Sequence, residues 1–224
     1  MCALSQPKVR IRFSTSNPQD MSLDVIKVMA KYENICNYIH LPVQSGSDNV
    51  LKAMNRQHTR SEYLQLIKNI YKIIPDCSIS HDIIAGFPNE SENDHKDTLS
   101  LMEEVKYSFG YMFKYSERPG TPAAKKLNDN IDEKIKSRRL SEIVDLQLKH
   151  SLYRTKEFIG KTVEVLIEKE SKKSDQHWAG RNPQNTTVVF PKENYKIGEF
   201  VNVKISGCTS ATLVGEATGL SKNN

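Results

Sequence analysis

From residue 9 to about residue 157 the chain alternates short apolar runs with longer amphipathic ones, and this alternation limits its possible folds more than any other feature. Val9-Arg10-Ile11-Arg12-Phe13 repeats with period two, as a half-buried strand does. Tyr38 to Val43, Ser78 to Ala85 and Phe109 to Tyr115 are further strand candidates. Each interval between them has room for one crossover helix, which predicts parallel βαβ units rather than hairpins.

Helix starts are legible. Ser47 is placed to cap a segment through Val50, Leu51 and Met54, and Thr59 with Glu62 spells a capping box before Tyr63-Leu64-Gln65-Leu66-Ile67. Ser91 with Asp94 opens the next helix. Asn130 with Glu133 opens a long final one, whose Ile135, Leu140, Ile143, Val144, Leu148 and Leu152 are expected to form the core-facing stripe. After Phe158-Ile159-Gly160 the pattern changes to short alternating runs: Thr162 to Ile167, Thr186 to Phe190, Phe200 to Ile205 and Ala211 to Val214. Such spacing predicts a small antiparallel barrel. The expected organisation is therefore an α/β unit over 1–157 and an all-β unit over 158–220, with a frayed tail.

Hydrophobic content of 38% and charged content of 26% over 224 residues are those of a soluble globular protein. No apolar run approaches membrane-spanning length, and Met1-Cys2-Ala3-Leu4-Ser5-Gln6 lacks the layout of a secretory signal, so the expected setting is cytoplasmic. Cys2, Cys36, Cys77 and Cys208 are scattered singly, without the spacing of a metal-ligand set, and neither a metal site nor a disulfide framework is expected. The net charge of +5 permits a nucleic-acid partner without requiring one.

Four loop-like stretches each follow a strand candidate and precede a helix candidate: Ser14 to Pro18, His40 to Ser47, Asp82 to Glu90 and Tyr115 to Pro122. In a parallel β/α arrangement all four open on one rim, where such folds place their chemistry. Gln44-Ser45-Gly46-Ser47 brings an amide, two hydroxyls and a helix N-terminus, suited to a carboxylate or ribose, or simply to a turn and cap. Gly86 allows close approach to the backbone, while Ile84 and Phe87 offer flat apolar contact to an adenine ring, or else a packed strand end. Arg118 suits an anionic group, or lies on the surface of a proline-stiffened loop. Asp82 with His81, Glu90 and His40 read as structural polar groups as readily as functional ones. In the small unit Lys169, Lys172, Lys173, Arg181 and Lys192 lie near Trp178 and Phe190, a composition suited to phosphates and stacked bases. A solvated basic face with Trp178 covering the core is the alternative, and Glu168, Glu170 and Asp175 weaken the electrostatic case.

Taken together, His40-Leu41-Pro42-Val43-Gln44-Ser45-Gly46-Ser47, Met54-Asn55-Arg56, Asp82-Ile83-Ile84-Ala85-Gly86-Phe87-Pro88 and Tyr115-Ser116-Glu117-Arg118-Pro119-Gly120-Thr121 resemble the methylthiotransferase branch of radical S-adenosylmethionine (SAM) enzymes, as does Arg12 to Pro18. The small unit, with Val165 to Glu168, Ser171-Lys172-Lys173 and Gly180-Arg181-Asn182, resembles a TRAM RNA-binding barrel, most like that of the tRNA-modifying branch. Asn89, where a second glycine is usual, and Gln57-His58, where Gly-Tyr is usual, depart from the family pattern.

The resemblance implies four βα units forming the C-terminal half of a partial (β/α) radical SAM barrel, followed by the TRAM barrel. It implies transfer of a methylthio group to C2 of N6-isopentenyladenosine beside the anticodon. SAM and two 4Fe–4S clusters serve that reaction in the full-length enzyme, which is expected to be monomeric. Gln44 and Ser45 would meet the ribose or methionine end of SAM, Ile84, Gly86 and Phe87 its adenine, and Tyr115 and Arg118 the cofactor or substrate; Lys169, Lys172, Lys173 and Arg181 would meet the anticodon stem-loop of tRNA. The cluster cysteines of the family lie upstream of these motifs, so this fragment is expected to be inactive alone, with an unpaired barrel edge. The threonylcarbamoyladenosine and ribosomal-protein branches, and a non-catalytic RNA-binding protein, are the alternatives.

Overall fold

A computed structural model describes residues 2–5, 8–14 and 17–223. Thr15 and Ser16 of the first loop, and Met1 and Gln6 of the amino-terminal segment, lie outside the described residues, as does the side chain of Cys2. In chain order come α1 (Cys2–Ser5), a 3-10 turn (Pro18–Asp20), α2 (Leu23–Lys31), β1 (Tyr38–His40), α3 (Asp48–Ala53), α4 (Arg60–Ile73), β2 (Ser78–Ala85), α5 (Glu92–Val105), β3 (Phe109–Lys114), α6 (Pro122–Lys126) and α7 (Glu133–Lys156). Five strands follow: β4 (Thr162–Ser171), β5 (Ser174–Arg181), β6 (Thr187–Pro191), β7 (Phe200–Cys208) and β8 (Thr212–Leu220).

β1, β2 and β3 form a parallel sheet in that order, with Tyr38 beside Ser78 and Asp82 beside Tyr111. The helix starts follow the side-chain logic of the sequence. Ser47 accepts from the Val50 N–H, and Thr59–Glu62 and Ser91–Asp94 form reciprocal capping boxes. One sheet face is packed by helices: Ile39, Ile79, Ile83, Tyr63, Ile70 and Leu101 are fully buried. The opposite face carries Tyr38, His40, Asp82, Ile84, Tyr111 and Phe113, and the last two are more than half exposed.

Two expectations need correction. Val9 to Phe13 does not form a strand. Only Ile11 bridges, in parallel, to Ile35 just ahead of β1, so among the described residues the unit has three strands rather than four. The alternating arginines explain its period-two pattern differently: their face docks the small barrel. Arg10 meets Glu164 at 2.7 Å, stacks on the Phe200 ring and donates to the Arg181 carbonyl, while Arg12 reaches Glu168 at 3.4 Å. Gln184 on Asp76 and Thr155 on the Thr209 carbonyl complete the junction.

The second correction concerns α7. Its N-cap is Asp132, two residues beyond the expected Asn130, whose amide instead pairs reciprocally with Asn89. Its buried face is mostly polar (Lys136, Arg139, Gln147, His150, Ser151 and Thr155 around Ile143), whereas Ile135 and Leu148 of the expected stripe are exposed. α7 crosses the rear of the sheet and its loops, where Leu140, Ile143 and Leu146 join the hydrophobic core and the buried polar residues meet carboxylates, carbonyls and the His81 ring. That face braces more than it buries.

The small unit is a closed barrel, β4-β5-β6-β8-β7, with Val165, Ile167, Val188, Phe190, Val201, Val203, Ile205 and Leu213 inside. β6 and β8 are parallel, and the other pairs are antiparallel. The sequence reading omitted β5. Gly180 lets β5 cross β4 closely, since a Cβ there would sit 2.1 Å from the Leu166 carbonyl oxygen. Among the described residues no helix is long and apolar enough to cross a membrane.

Candidate functional site

A cavity of about 580 Å³ opens at the C-terminal edge of the parallel sheet. Three of the four expected loops meet there, and Gln44, Ile84, Phe87, Tyr115 and Arg118 all line it. None of the described residues of the first loop, Ser14, Asn17 and Pro18, lines it. Pro18 and Gln19 border a separate hollow beside His58, and the Gln19 amide donates to the Gln57 carbonyl.

Gln44 enters the cavity from a backbone φ of 71°, a region few non-glycine residues occupy. Its N–H donates to the Asp82 carbonyl and its own carbonyl accepts from Ile84, so β1 and β2 together hold this conformation. Phe87 is nearly buried and meets the Tyr115 ring edge-on, with centroids 5.0 Å apart. Burial and the neighbouring Glu117 and Asp129 carboxylates push the Tyr115 phenol up, which keeps its hydroxyl a proton donor. Arg56, Lys114 and Arg118 surround this apolar wall with positive charge, and Asp82 sits on its floor.

Two expected contacts lie elsewhere. Ser45 is fully buried against α5, its hydroxyl 3.2 Å from Thr98 Oγ1 and accepting from the Ser47 N–H. Gly86, at φ 74°, faces α7: a Cβ there would sit 2.4 Å from Lys136 Cγ, and its N–H donates to Glu90. The close approach the glycine permits is that of a lysine stem. Glu90 is neither a ligand contact nor a simple helix-end charge. It is buried and paired with Arg139 at 2.7 Å, and burial raises its carboxyl pKa against the opposing pull of Gly86 and Arg139.

Lys136, ion-paired with Asp129 and Glu133, and the Asn130–Asn89 amide pair complete a brace behind the 86–90 loop. Sequence reading missed this brace, and it missed Phe113 and Lys114 as lining residues. Phe113 was open to period-two reasoning, since it shares its strand face with Tyr111. The brace partners lie some fifty residues apart and leave no local signal. His81 turns to the helix side of the sheet and bonds Gln147, so it makes no pair with Asp82; His40 does, at 3.4 Å.

A second cavity, of about 530 Å³, lies on the small barrel. Lys169, Lys172, Lys173 and Arg181 all line it, together with Glu168, Ser174 and His177 and the apolar Val189 and Val214. Arg181 is tethered to Glu168 and to Asn185. Phe190 is fully buried in the barrel core and offers no stacking surface. Trp178 packs on that core beneath Lys192, whose ammonium lies 4.6 Å from the ring centroid and pairs with Glu170. Neither aromatic projects as a base platform.

Among the described residues no group of three or more His, Cys, Asp or Glu side chains is placed to hold a metal ion. Cys36 and Cys77 are buried singly, and Cys208 lies apart on the small barrel. These donors do not fit an iron–sulfur cluster.

Residues 2–102 match the Radical SAM superfamily, and residues 156–218 match the TRAM domain. The chain is 70% identical, over all of its length, to the tRNA-2-methylthio-N(6)-dimethylallyladenosine synthase of Christiangramia forsetii and 66% identical to that of Flavobacterium johnsoniae. It covers 47% of each, and so spans about half the length of the curated relatives it matches. Among solved structures, the radical SAM enzyme coproporphyrinogen III oxidase from Escherichia coli aligns with a TM-score of 0.52 at 16% identity, over 76% of this chain and 45% of that one. That likeness concerns the fold alone.

Proposed function

We propose that this chain, whose residues 2–102 match the Radical SAM superfamily and whose residues 156–218 match the TRAM domain, is the sheet-and-TRAM portion of a tRNA methylthiotransferase. Its substrate is N6-isopentenyladenosine beside the anticodon, modified at C2, in a monomeric cytoplasmic enzyme. The observation that carries the reading is the convergence of Gln44, Ile84, Phe87, Tyr115 and Arg118 on one cavity with an apolar wall and a cationic rim.

SAM, when bound, supplies the one-electron and methyl-transfer chemistry of the superfamily. The chain's own residues bind and orient it. Ile84 and Phe87 take the adenine face and exclude water from it, the Gln44 amide takes ribose hydroxyls, and Arg118 and Arg56 take the carboxylate. The Tyr115 hydroxyl donates toward the same end. Residue 157, between α7 and the barrel, is taken as the domain boundary.

In the same reading the second cavity receives anticodon stem-loop phosphates, Lys172 and Lys173 acting as mobile cations and Arg181 as a fixed one. Because both lysines are exposed, Lys172→Ala with Lys173→Ala should leave folding intact. In fluorescence anisotropy with an isopentenylated anticodon stem-loop, the double variant should bind more weakly. Its log–log salt dependence should be shallower by about two. Unchanged affinity and an unchanged slope would remove this surface from the RNA path.

A further inference from the structure

A carboxylate lines the cavity of the small barrel, although phosphate is the ligand proposed for it. Glu168 is the one acidic side chain among the described residues bordering this cavity, beside Lys169, Lys172, Lys173 and Arg181. Left to itself, a carboxylate there would repel a phosphate and compete with it for Arg181. Glu168 instead lies between two guanidinium groups. Its Oε2 is 3.4 Å from Arg181 Nε, and its Oε1 is 3.4 Å from Nη1 of Arg12, which comes from the α/β unit.

Arg12 reaches this position on the 9–13 segment, whose two arginines hold consecutive backbone carbonyls at the end of β5. Arg10 donates to the Arg181 carbonyl at 2.6 Å, and Arg12 Nη2 donates to the Asn182 carbonyl at 3.3 Å. The backbone leaving Arg181 is thus held from the α/β unit, while its side chain is held from within the barrel. Arg181 Nη1 donates to the Asn185 side-chain oxygen at 2.9 Å and to the Asn185 carbonyl at 3.2 Å. Among the described residues no acceptor engages Nη2, and the side chain stays 40% exposed. That nitrogen is the donor available to an incoming oxyanion.

We propose that Arg12 is a positioning residue for RNA: it offsets the Glu168 charge, so that Arg181 stays directed at a backbone phosphate rather than at its neighbouring carboxylate. The inference rests on the reading of this cavity as the RNA site. It makes phosphate binding by the small barrel depend on a residue of the α/β unit. Without Arg12, Glu168 turns both oxygens to Arg181 in the forked pairing that guanidinium and carboxylate favour, and the cavity loses its fixed cation.

Fluorescence anisotropy with the isopentenylated anticodon stem-loop tests this on the unsubstituted chain, Arg12→Gln, Glu168→Gln and the double variant. Arg12→Gln should bind about fivefold more weakly, with a log–log salt slope shallower by about one. Glu168→Gln alone should bind no more weakly than the original, since Asn185 still holds Arg181. The double variant should return to the affinity and slope of Glu168→Gln. If Arg12 were only a pin between the units, or touched phosphate itself, the double variant would stay as weak as Arg12→Gln, because Glu168→Gln restores neither contact. That result would overturn the proposal, as would an Arg12→Gln chain that binds like the original; both leave the cavity reading in place.

Arg12→Lys keeps the charge and disturbs the junction less. It should bind within about twofold of the original, and a loss equal to that of Arg12→Gln at an unchanged melting temperature would also overturn the proposal. An unsubstituted chain without salt-sensitive binding would remove the cavity reading and this inference with it.

Discussion

Arg139→Ala is expected to lower the unfolding free energy by about 3–5 kcal/mol, because it strips the partner from a carboxylate buried in the protein. Arg139 and Glu90 keep 5% and 2% of their side-chain exposure and meet at 2.7 Å. Arg139 also donates to the Glu90 carbonyl and reaches Glu92, so three acceptors lose a donor at once. The Glu90 carboxyl pKa is already raised by burial, and removing the guanidinium raises it further. The variant therefore recovers part of its stability in acid, where Glu90 binds a proton. Urea unfolding at pH 8 and pH 5.5 measures both effects. The double variant Glu90→Gln with Arg139→Met should be markedly more stable than Arg139→Ala, since an absent pair is less damaging than half of one. A loss below about 1 kcal/mol for Arg139→Ala would mean that the brace behind the 86–90 loop contributes little.

The second large effect is set by His81. Its ring is fully buried between Tyr107 and Gln147, Nε2 donating to the side-chain amide oxygen of Gln147, and burial lowers its pKa from 6.5 to about 4. The folded state therefore binds this proton less readily than the unfolded chain does. Its contribution is complete above pH 6.5, falls away as pH drops toward 4 and is constant below that. The expected total is about 3 kcal/mol. His81→Phe cannot titrate here. The stability difference between the original protein and the variant should therefore narrow across this window if the original starts ahead, or widen if the variant does. A difference constant between pH 7 and pH 4 would show that His81 is charged or accessible in the fold.

Capping residues made much of the α/β unit readable, since Ser47, Thr59 and Ser91 act within four residues of sequence. The strand cores were readable for a similar reason. What failed was whatever depended on distant partners. Val9 to Phe13 has the alternation of a strand, but its arginine face is turned to Glu164 and Glu168, more than 150 residues away. Asn130 looked like a cap because its pairing with Asn89 across the loop was invisible. The apparent stripe of α7 held only in part: Leu140 and Ile143 face the core, but Ile135 and Leu148 are exposed, because Lys136, Arg139 and Gln147 are buried by partners on the sheet and its loops. β5, with Ser174-Asp175-Gln176-His177 at its start, has no β-branched run and is held by neighbouring strands on both sides.

The site divided along the same line. Gln44, Ile84, Phe87, Tyr115 and Arg118 could be found because each sits at or just past the C-terminal end of a strand, where a parallel sheet opens. Ser45 and Gly86 share that address, yet their direction depends on Thr98 and Lys136. Loop position in sequence identifies the rim, and packing behind the rim decides which side chains face the ligand. His40 and Asp82 fall under the same rule, since β1 and β2 must pair before the two face each other.

The most direct test of the adenosyl cavity is a methyl-resolved NMR titration of the chain with S-adenosylmethionine. Saturable shifts of the Ile84 δ-methyl are expected, with none for Val188 and Leu213 inside the small barrel, and Phe87→Ala should weaken the Ile84 response by about tenfold or more. Shifts confined to the small barrel, or an Ile84 methyl that stays unmoved at saturating ligand, would contradict it.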